Sequence, residues 1–208
     1  MELISSIFYI AILIMSVVIH EISHGFVAEL FGDSTARRAG RLTLNPLRHL
    51  DLFGSIILPT LLILSQAGFV VGWAKPVPYN PDNLSNRKWG TMAVASAGIL
   101  ANILVAIIFG VIIRLSFLYE LSISQGFIDI TSLIVLVNLA LAIFNLVPIP
   151  PLDGSKILFS LLPETFRQFM EFMEQWALIV LIIFIVYLSD SLIPLLTRAF
   201  SLLTGLPF

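Results

Sequence analysis

Long apolar stretches that alternate with short charged loops dominate this chain. The first runs from residue 3 to Phe31, about 29 residues or roughly 43 Å of α-helix, which is more than a bilayer requires. Residues 93–118 and 128–147 are two further stretches of spanning length, and residues 175–189 with their flanks form a fourth. Helices satisfy their own backbone hydrogen bonds in lipid. The pattern therefore predicts an all-α polytopic membrane protein with a C-terminal transmembrane helix.

A shorter apolar stretch at residues 52–66 predicts a different element. It has only about 15 residues, fewer than a spanning helix needs, and it contains Pro59. Because positively charged loops stay on the cytoplasmic side of a membrane, the basic loops before and after this stretch place its two ends on the same side. We therefore predict a re-entrant or interfacial segment. The flanking basic residues are Arg37, Arg38, Arg41, Arg48, Lys75, Arg87 and Lys88.

The stretches divide the chain into two predicted regions. Residues 1–162 contain the first three spans and the short segment, and we expect them to form the core of the protein. Residues 163–208 form a C-terminal region in which residues 163–174 and 193–203 are amphipathic and suited to the membrane interface. No stretch is long enough to form a separate soluble domain.

Composition supports the membrane class. Of the 208 residues, 58% are hydrophobic and 12% are charged, with a mean hydropathy of +1.02, whereas an ordinary soluble domain carries about twice that charged fraction. The lipid bilayer is therefore the expected environment, and a soluble enzyme is excluded. A net charge of −2 provides no basic field for nucleic acid. The absence of cysteine rules out disulfides and thiolate metal sites.

Candidate chemistry lies in the first span, where His20, Glu21 and His24 stand in the order H-E-x-x-H. Residues four apart lie on one face of a helix, so both imidazoles can bind one metal ion while Glu21 reaches a metal-bound water. Chance predicts roughly one such match per thousand sequences of this composition. The structural alternative is hydrogen bonding within a helical bundle, but ionisable groups are costly inside a membrane.

A hydrolytic zinc site needs a third protein ligand and an open position for water. His49 lies in a basic loop, and we expect it to be a solvated or interfacial residue rather than a ligand. Asp153 follows the prolines that end the span at 128–147; its alternative role is to cap the next helix. If residues 52–66 do not cross, Asp153 returns to the same membrane face as His20 and His24, which favours Asp153 as the ligand.

These motifs resemble those of the site-2 protease family of intramembrane zinc metalloproteases, in its compact branch without PDZ or CBS domains. Residues 20–25 (HEISHG) and 145–154 (NLVPIPPLDG) are similar to the two most specific family motifs. Residues 72–78 are similar to a membrane-associated loop, and residues 96–102 to a small-residue motif in which Ile99 occupies a position that is often proline.

The resemblance implies a three-helix catalytic core that hydrolyses peptide bonds in or near the transmembrane segments of membrane-protein substrates. It assigns one zinc ion per chain to His20, His24 and Asp153. It assigns the role of general base to Glu21. It also implies a multi-pass protein, with the plasma membrane of a prokaryote as the expected location and an active site that opens toward the cytoplasm.

Three further residues are candidates for substrate binding. Asn102 and Asn145 are polar side chains in apolar spans, and each either orients the substrate backbone or makes interhelical hydrogen bonds. Trp73 lies in the Pro-rich stretch at residues 72–78, which could add to the substrate as an extended strand; the alternative for Trp73 is an interfacial anchor. We interpret Asn138 as structural.

Two other functions compete with this prediction. In another kind of membrane zinc protease the third ligand is a downstream glutamate, for which Glu164, Glu171 and Glu174 are candidates. A non-catalytic membrane scaffold, or a transporter that uses His20 and Glu21 as a proton relay, belongs to a different class. A transporter usually shows more spans or an inverted repeat. The sequence carries no signal for oligomeric state.

Overall fold

The computed structural model describes residues 2–57, 60–61, 64–65 and 74–208. Within these residues the regular secondary structure is helical and includes no β-strand, which confirms the all-α class. The α-helices are α1 (Glu2–Leu30), α2 (Thr35–Arg38), α3 (Arg87–Leu118), α4 (Gln125–Asn145), α5 (Asp153–Leu161), α6 (Arg167–Gln175), α7 (Ala177–Tyr187) and α8 (Ile193–Thr204). Short 3₁₀ or π-helical turns lie at Leu52–Ile57, Pro46–Arg48, Pro81–Asn83, Glu164–Phe166 and Ser189–Leu192.

Three helices are long and apolar enough to cross a membrane, namely α1 from Ile7 onward, α3 and α4. This confirms the predicted multi-pass architecture. The C-terminal span predicted at residues 175–189 corresponds to α7, which has 11 residues and is shorter than a bilayer-spanning helix. It reaches the required length only together with the segment from Glu164 to Gln175, from which it is bent by 72°.

Helix α3 lies at the centre of the bundle and packs against α1, α4, α5 and α8. The C-terminal half of α1 meets the N-terminal half of α3, because His24 of α1 bonds to Val94 of α3. Helix α4 runs back along α3 and ends at Asn145, shortly before a run of prolines that cannot continue a helix. The chain therefore returns to the end of α1 just where α5 begins.

Two residues that flank the predicted re-entrant segment, His49 and Lys75, lie at the same place in the molecule. The backbone N–H of Lys75 donates to the carbonyl oxygen of His49 at 2.8 Å, so the chain between these two residues leaves and returns to one point. A single crossing of the membrane between them is therefore impossible. Pro59 and residues 66–73, which include Gly72 and Trp73, lie outside the described residues.

Asp33 connects the end of α1 to the chain that returns from this segment. Its buried carboxylate accepts hydrogen bonds from the backbone and hydroxyl of Thr35, from the backbone N–H of Asn80 at 2.6 Å and from the side chain of Asn83 at 2.9 Å. Residues 74–78, which we call the strap, run from the contact between Lys75 and His49 to this junction, so contacts at both ends hold the strap across the end of α1.

Candidate metal centre

Three candidate ligands from two helices converge on one point. His20 and His24 lie one turn apart on α1, and Asp153 is the first residue of α5. Asp153 Oδ2 lies 3.0 Å from His20 Nε2 and 3.1 Å from His24 Nε2. Among the described residues, these three side chains form the one group with the spacing to hold a metal ion, and each is less than 10% exposed.

When the two histidine rings are neutral, the hydrogen bonds behind them leave acceptor atoms facing this point. His24 Nδ1 lies 2.7 Å from the carbonyl oxygen of Val94, and since a carbonyl can only accept, Nδ1 carries a proton. In the neutral ring, the lone pair of His24 Nε2 therefore faces the Asp153 carboxylate at 3.1 Å. Such an arrangement of acceptors is unfavourable unless a cation lies among them.

His20 is oriented by α3. Its Nδ1 lies 3.2 Å from Oδ1 of Asn102, which is fully buried, so the amide acts as the outer hydrogen-bond partner that metal-binding histidines usually have. Gly98 lies directly under the ring: a Cβ there would come within 2.5–2.7 Å of the His20 ring atoms. Gly98 belongs to the small-residue motif at residues 96–102, and the group that approaches it closely is the ring of His20.

Close backbone packing at Gly154 and the ammonium group of Lys156 hold Asp153 in position. A Cβ at Gly154 would collide with the carbonyl oxygens of Leu146 and Val147, so only glycine lets the start of α5 pack against the end of α4. Lys156, one turn along α5, places Nζ 3.2 Å from Asp153 Oδ1. Burial opposes ionisation, but the two histidine rings and the ammonium group of Lys156 hold the pKa of Asp153 well below its usual range. The side chain is therefore a carboxylate, the form that binds metals.

Glu21 faces the same space from the adjacent side of α1, and the strap fixes its orientation. The backbone N–H of Val77 donates to Glu21 Oε2 at 2.8 Å, which leaves Oε1 available for a water molecule. Gly25 makes this contact possible, because a Cβ there would come within 2.8 Å of the Val77 side chain and 2.5 Å of Leu42. The glycine that follows the H-E-x-x-H motif thus allows the strap to pack against α1.

A cavity of about 170 Å³ opens beside these groups. Asn145 lines it and is partly exposed. The Asn145 Nδ2 donates to the carbonyl of Leu141 at 3.0 Å, and its Oδ1 makes no hydrogen bond to the described residues. The candidate ligands and the candidate general base line the same cavity, namely His20, Glu21, His24 and Asp153.

The other sequence candidates lie elsewhere. The expectation that His49 is solvated is wrong: it is 1% exposed, and its Nε2 lies 2.8 Å from the carbonyl oxygen of Thr43. His49 is not part of the converging group. Glu171 and Glu174 are exposed, and Glu171 accepts a hydrogen bond from Arg167. Trp73 lies outside the described residues.

Sequence reasoning missed the groups that position the site through the backbone. The carbonyl of Val94 and the N–H of Val77 come from residues whose side chains carry no signal, because every residue offers such groups. Lys156 could have been found: it follows Asp153 by three residues at the start of a predicted helix, which is the spacing of side chains that meet.

The donor set fits zinc. Two neutral imidazole nitrogens and one carboxylate oxygen leave a fourth position free, as in catalytic zinc sites. Tetrahedral zinc with ligands at about 2.0–2.1 Å places its ligand atoms roughly 3.3 Å apart, close to the 3.0 and 3.1 Å that separate Asp153 Oδ2 from His20 and His24.

Comparisons with known proteins agree with the class that this fold and site define, a membrane zinc metalloprotease. The profile of Peptidase family M50 matches residues 8–122 and 112–188. The "Putative zinc metalloprotease YwhC" of Bacillus subtilis is 39% identical over 178 residues, covering 84% of this chain and 78% of that protein. The "Putative zinc metalloprotease Rip2" of Mycolicibacterium smegmatis is 30% identical over 181 residues, covering 83% of this chain and 64% of that protein. No solved structure matches the chain.

The chain belongs to Peptidase family M50, the site-2 protease family, and is a zinc metalloprotease. The predicted family and enzyme class are therefore confirmed. The apolar helices and the family together define a multi-pass membrane protein. Membership also implies membrane-protein substrates and a lipid environment.

Proposed function

We propose that this protein hydrolyses peptide bonds in or near transmembrane segments of its substrates, with one zinc ion per chain held by His20, His24 and Asp153 and with Glu21 as the general base. The convergence of two imidazole nitrogens and a carboxylate oxygen on one buried point is the observation that carries this proposal. The neighbouring carboxylate of Glu21 supports hydrolysis rather than a purely structural metal site.

A zinc ion held by His20, His24 and Asp153 would supply Lewis acidity, which makes a water molecule more acidic and polarises a carbonyl group. Glu21 takes a proton from the attacking water and delivers it to the leaving amine. The hydrogen bond from Val77 to Glu21 Oε2 keeps the carboxylate turned toward the cavity. Pre-orientation of the base in this way reduces the cost of reaching the reactive geometry.

Asn145 and Asn102 have different roles in this proposal. Asn145 lines the cavity and has a free Oδ1, which supports a contact to the substrate backbone. Asn102 is fully buried behind His20, which favours the second of its two predicted roles, an interhelical hydrogen bond that positions a ligand. The substrate-binding role of Trp73 stays a prediction, as does strand addition by residues 72–78.

The active site opens toward the cytoplasm in this proposal. Hydrolysis needs water, so a site at membrane depth requires a polar opening. The C-terminal end of α1 carries a basic loop, and basic loops are retained in the cytoplasm. The bacterial relatives support the plasma membrane of a prokaryote as the location. The division into a core at residues 1–162 and a C-terminal region at 163–208 remains part of the proposal.

The test compares Glu21→Gln with Glu29→Gln, the same chemical change two turns further along α1, where Glu29 pairs with Arg37 at the surface. Each protein is purified in detergent, its bound zinc is measured by mass spectrometry, and its cleavage of a single-pass membrane substrate is followed. We expect Glu21→Gln to keep its zinc and to lose at least about 100-fold in cleavage rate. Glu29→Gln should retain both.

Two results would overturn the proposal. A parent protein that binds no zinc, or that cleaves no membrane substrate when loaded with zinc, contradicts the function itself. A Glu21→Gln variant that cleaves at the parental rate contradicts the assignment of the base.

A further inference from the structure

A second cavity, about 520 Å³ in volume, lies on the loop side of the strap. Its volume is in the range of small-molecule binding sites. Three of the residues that line it are cationic, and we call them together the basic pocket. They are Arg41, Arg48 and Lys75.

The lining of the basic pocket includes three cations and no carboxylate. None of the three cations makes an ion pair with a described residue within 4 Å. The carboxylate of Asp51, which is close in sequence, accepts a hydrogen bond from the backbone N–H of Gly54 at 2.7 Å. The lining therefore presents a concentration of positive charge that suits an anionic group.

Arg41 is the unusual member of the group. It is only 8% exposed, its Nη2 donates to the carbonyl oxygens of Lys75 at 2.6 Å and Pro76 at 3.2 Å, and its Nε is buried without a partner. Two neutral carbonyls do not neutralise a buried guanidinium. Arginine and lysine together form a favourable site for a phosphate group, because the guanidinium binds two oxygens at once and the ammonium adds a point charge.

An exposed leucine lines the pocket: Leu47 is 73% exposed. Leu44 and Leu52, which lie close to it in sequence, are 62% and 69% exposed. Leucines are costly in water when they cluster, but they are suited to the boundary between headgroups and acyl chains. A cationic lining beside exposed leucines suits an amphiphilic anion better than a soluble one.

We infer that the basic pocket binds the phosphate group of an anionic membrane phospholipid, whose acyl chains pack against the exposed leucines. Basic pockets on the cytoplasmic side of membrane proteins bind anionic headgroups by this chemistry. This inference does not depend on the proposed proteolysis, because it concerns a different cavity and a different ligand.

The experiment counts phosphatidylglycerol molecules bound to the purified full chain by native mass spectrometry during a lipid titration. Phosphatidylcholine with the same acyl chains and inorganic phosphate serve as comparison ligands. The test variant carries Arg48→Gln with Lys75→Gln, and the control carries Arg38→Gln with Lys88→Gln, two exposed cations that do not line the pocket. Both variants lose the same charge, and Arg41 stays in place to preserve the strap.

We expect one phosphatidylglycerol to bind more tightly than phosphatidylcholine. The test variant should bind it roughly 30-fold more weakly, since each cation at a membrane surface contributes about a fivefold effect, while the control keeps the parental affinity. Equal losses in both variants would show only a general surface potential and overturn the inference. So would parental affinity in the test variant, or binding of inorganic phosphate with no preference between the two lipids.

Discussion

The candidate metal centre and the basic pocket differ in the charge of the groups that they bring together. At the candidate metal centre, two imidazole nitrogens lie 3.0 and 3.1 Å from one carboxylate oxygen of Asp153. At the basic pocket, three cations lack a carboxylate partner among the described residues. The centre lies inside the bundle, whereas only Arg41 of the pocket is buried. Because desolvated charges interact far more strongly than exposed ones, we expect tight binding at the centre and weaker, salt-sensitive binding at the pocket.

The strap connects the two regions. Arg41 binds the carbonyl oxygens of Lys75 and Pro76, and the next residue, Val77, donates its N–H to Glu21. One short stretch of backbone thus offers acceptors to Arg41 of the pocket and a donor to the carboxylate of Glu21. The two regions differ in ligand but share this support.

The histidines show that burial alone does not make a metal ligand. His24 and His49 are both buried, but only His24 has a carboxylate in front of its ring and a carbonyl behind it. His49 bonds to the carbonyl of Thr43, and its other nitrogen has no partner. A metal site requires convergence of several donors, which only packing can provide.

The largest effect that we predict is the loss of zinc affinity when a candidate ligand is removed, because the zinc ion then has one protein ligand fewer. Asp153→Ala should weaken zinc binding by more than about 100-fold, since loss of an outer partner alone costs 10–100-fold, and cleavage should disappear. The measurement is a zinc titration of the purified protein. Glu171→Ala and Glu174→Ala serve as controls, and if either of them loses zinc while Asp153→Ala retains it, the third ligand is misassigned.

A smaller effect on zinc affinity should distinguish Asn102, the hydrogen-bond partner of His20, from Asn138, an equally buried amide elsewhere in the bundle. Asn102 and Asn138 are both 0% exposed, but Asn102 bonds to His20 while Asn138 donates to Ser16. Asn102→Ala should lower zinc affinity by about 10–100-fold. Asn138→Ala should lower only thermal stability. Equal zinc affinity in the two variants, measured by competition with a chelator, would show that Asn102 does not orient the ligand.

The smallest predicted effect is on stability and concerns Asp33, which accepts hydrogen bonds from Asn80 and Asn83, just after the strap. Burial opposes ionisation, but hydrogen bonds from Asn83, Thr35 and Asn80 lower the pKa of Asp33 below its ordinary value of 3.8. A lowered pKa in the folded state means that this carboxylate stabilises the protein above pH 3.8 and that the contribution is lost as the pH falls further. Asp33→Asn should therefore cost about 1–3 kcal/mol at pH 7.

The pH dependence supplies the check on this prediction. Thermal unfolding of the parent and of Asp33→Asn is compared at pH 7 and at pH values below 3.8, with Asp82→Asn, an exposed residue paired with Arg87, as the control. The difference between the parent and Asp33→Asn should shrink at acid pH. A difference that stays constant or widens would contradict the role of the ionised carboxylate.

Local patterns in the sequence predicted much of the fold and of the candidate site. The length of the apolar stretches was sufficient to identify α1, α3 and α4 as spans, because the thickness of a bilayer sets the length of a spanning helix. The four-residue spacing of His20 and His24 was sufficient to place them on one face, because a helix repeats every 3.6 residues. Prolines predicted the end of α4 because they cannot continue a helix.

Predictions that depended on the tertiary surroundings of a residue were less reliable than those from local patterns. The charged neighbours of His49 suggested exposure, but the loop folds onto the returning strap and buries the ring. A span at residues 175–189 was predicted from apolarity alone, whereas the helix there is short and sharply bent from the preceding one. Neither the closure of a loop nor a bend between helices leaves a periodic signal in the sequence.

What the sequence determined by itself was therefore the membrane class, the main spans and the pair of histidines, all of which follow from hydrogen bonds and side-chain spacing within a few residues. Only the tertiary structure decided that Asp153 lies against residues 133 and 129 positions before it, that Val94 fixes the ring proton of His24, and that Arg41 is buried beneath the strap. The physical reason is that backbone donors and acceptors are the same in every residue, so packing alone selects which of them meet.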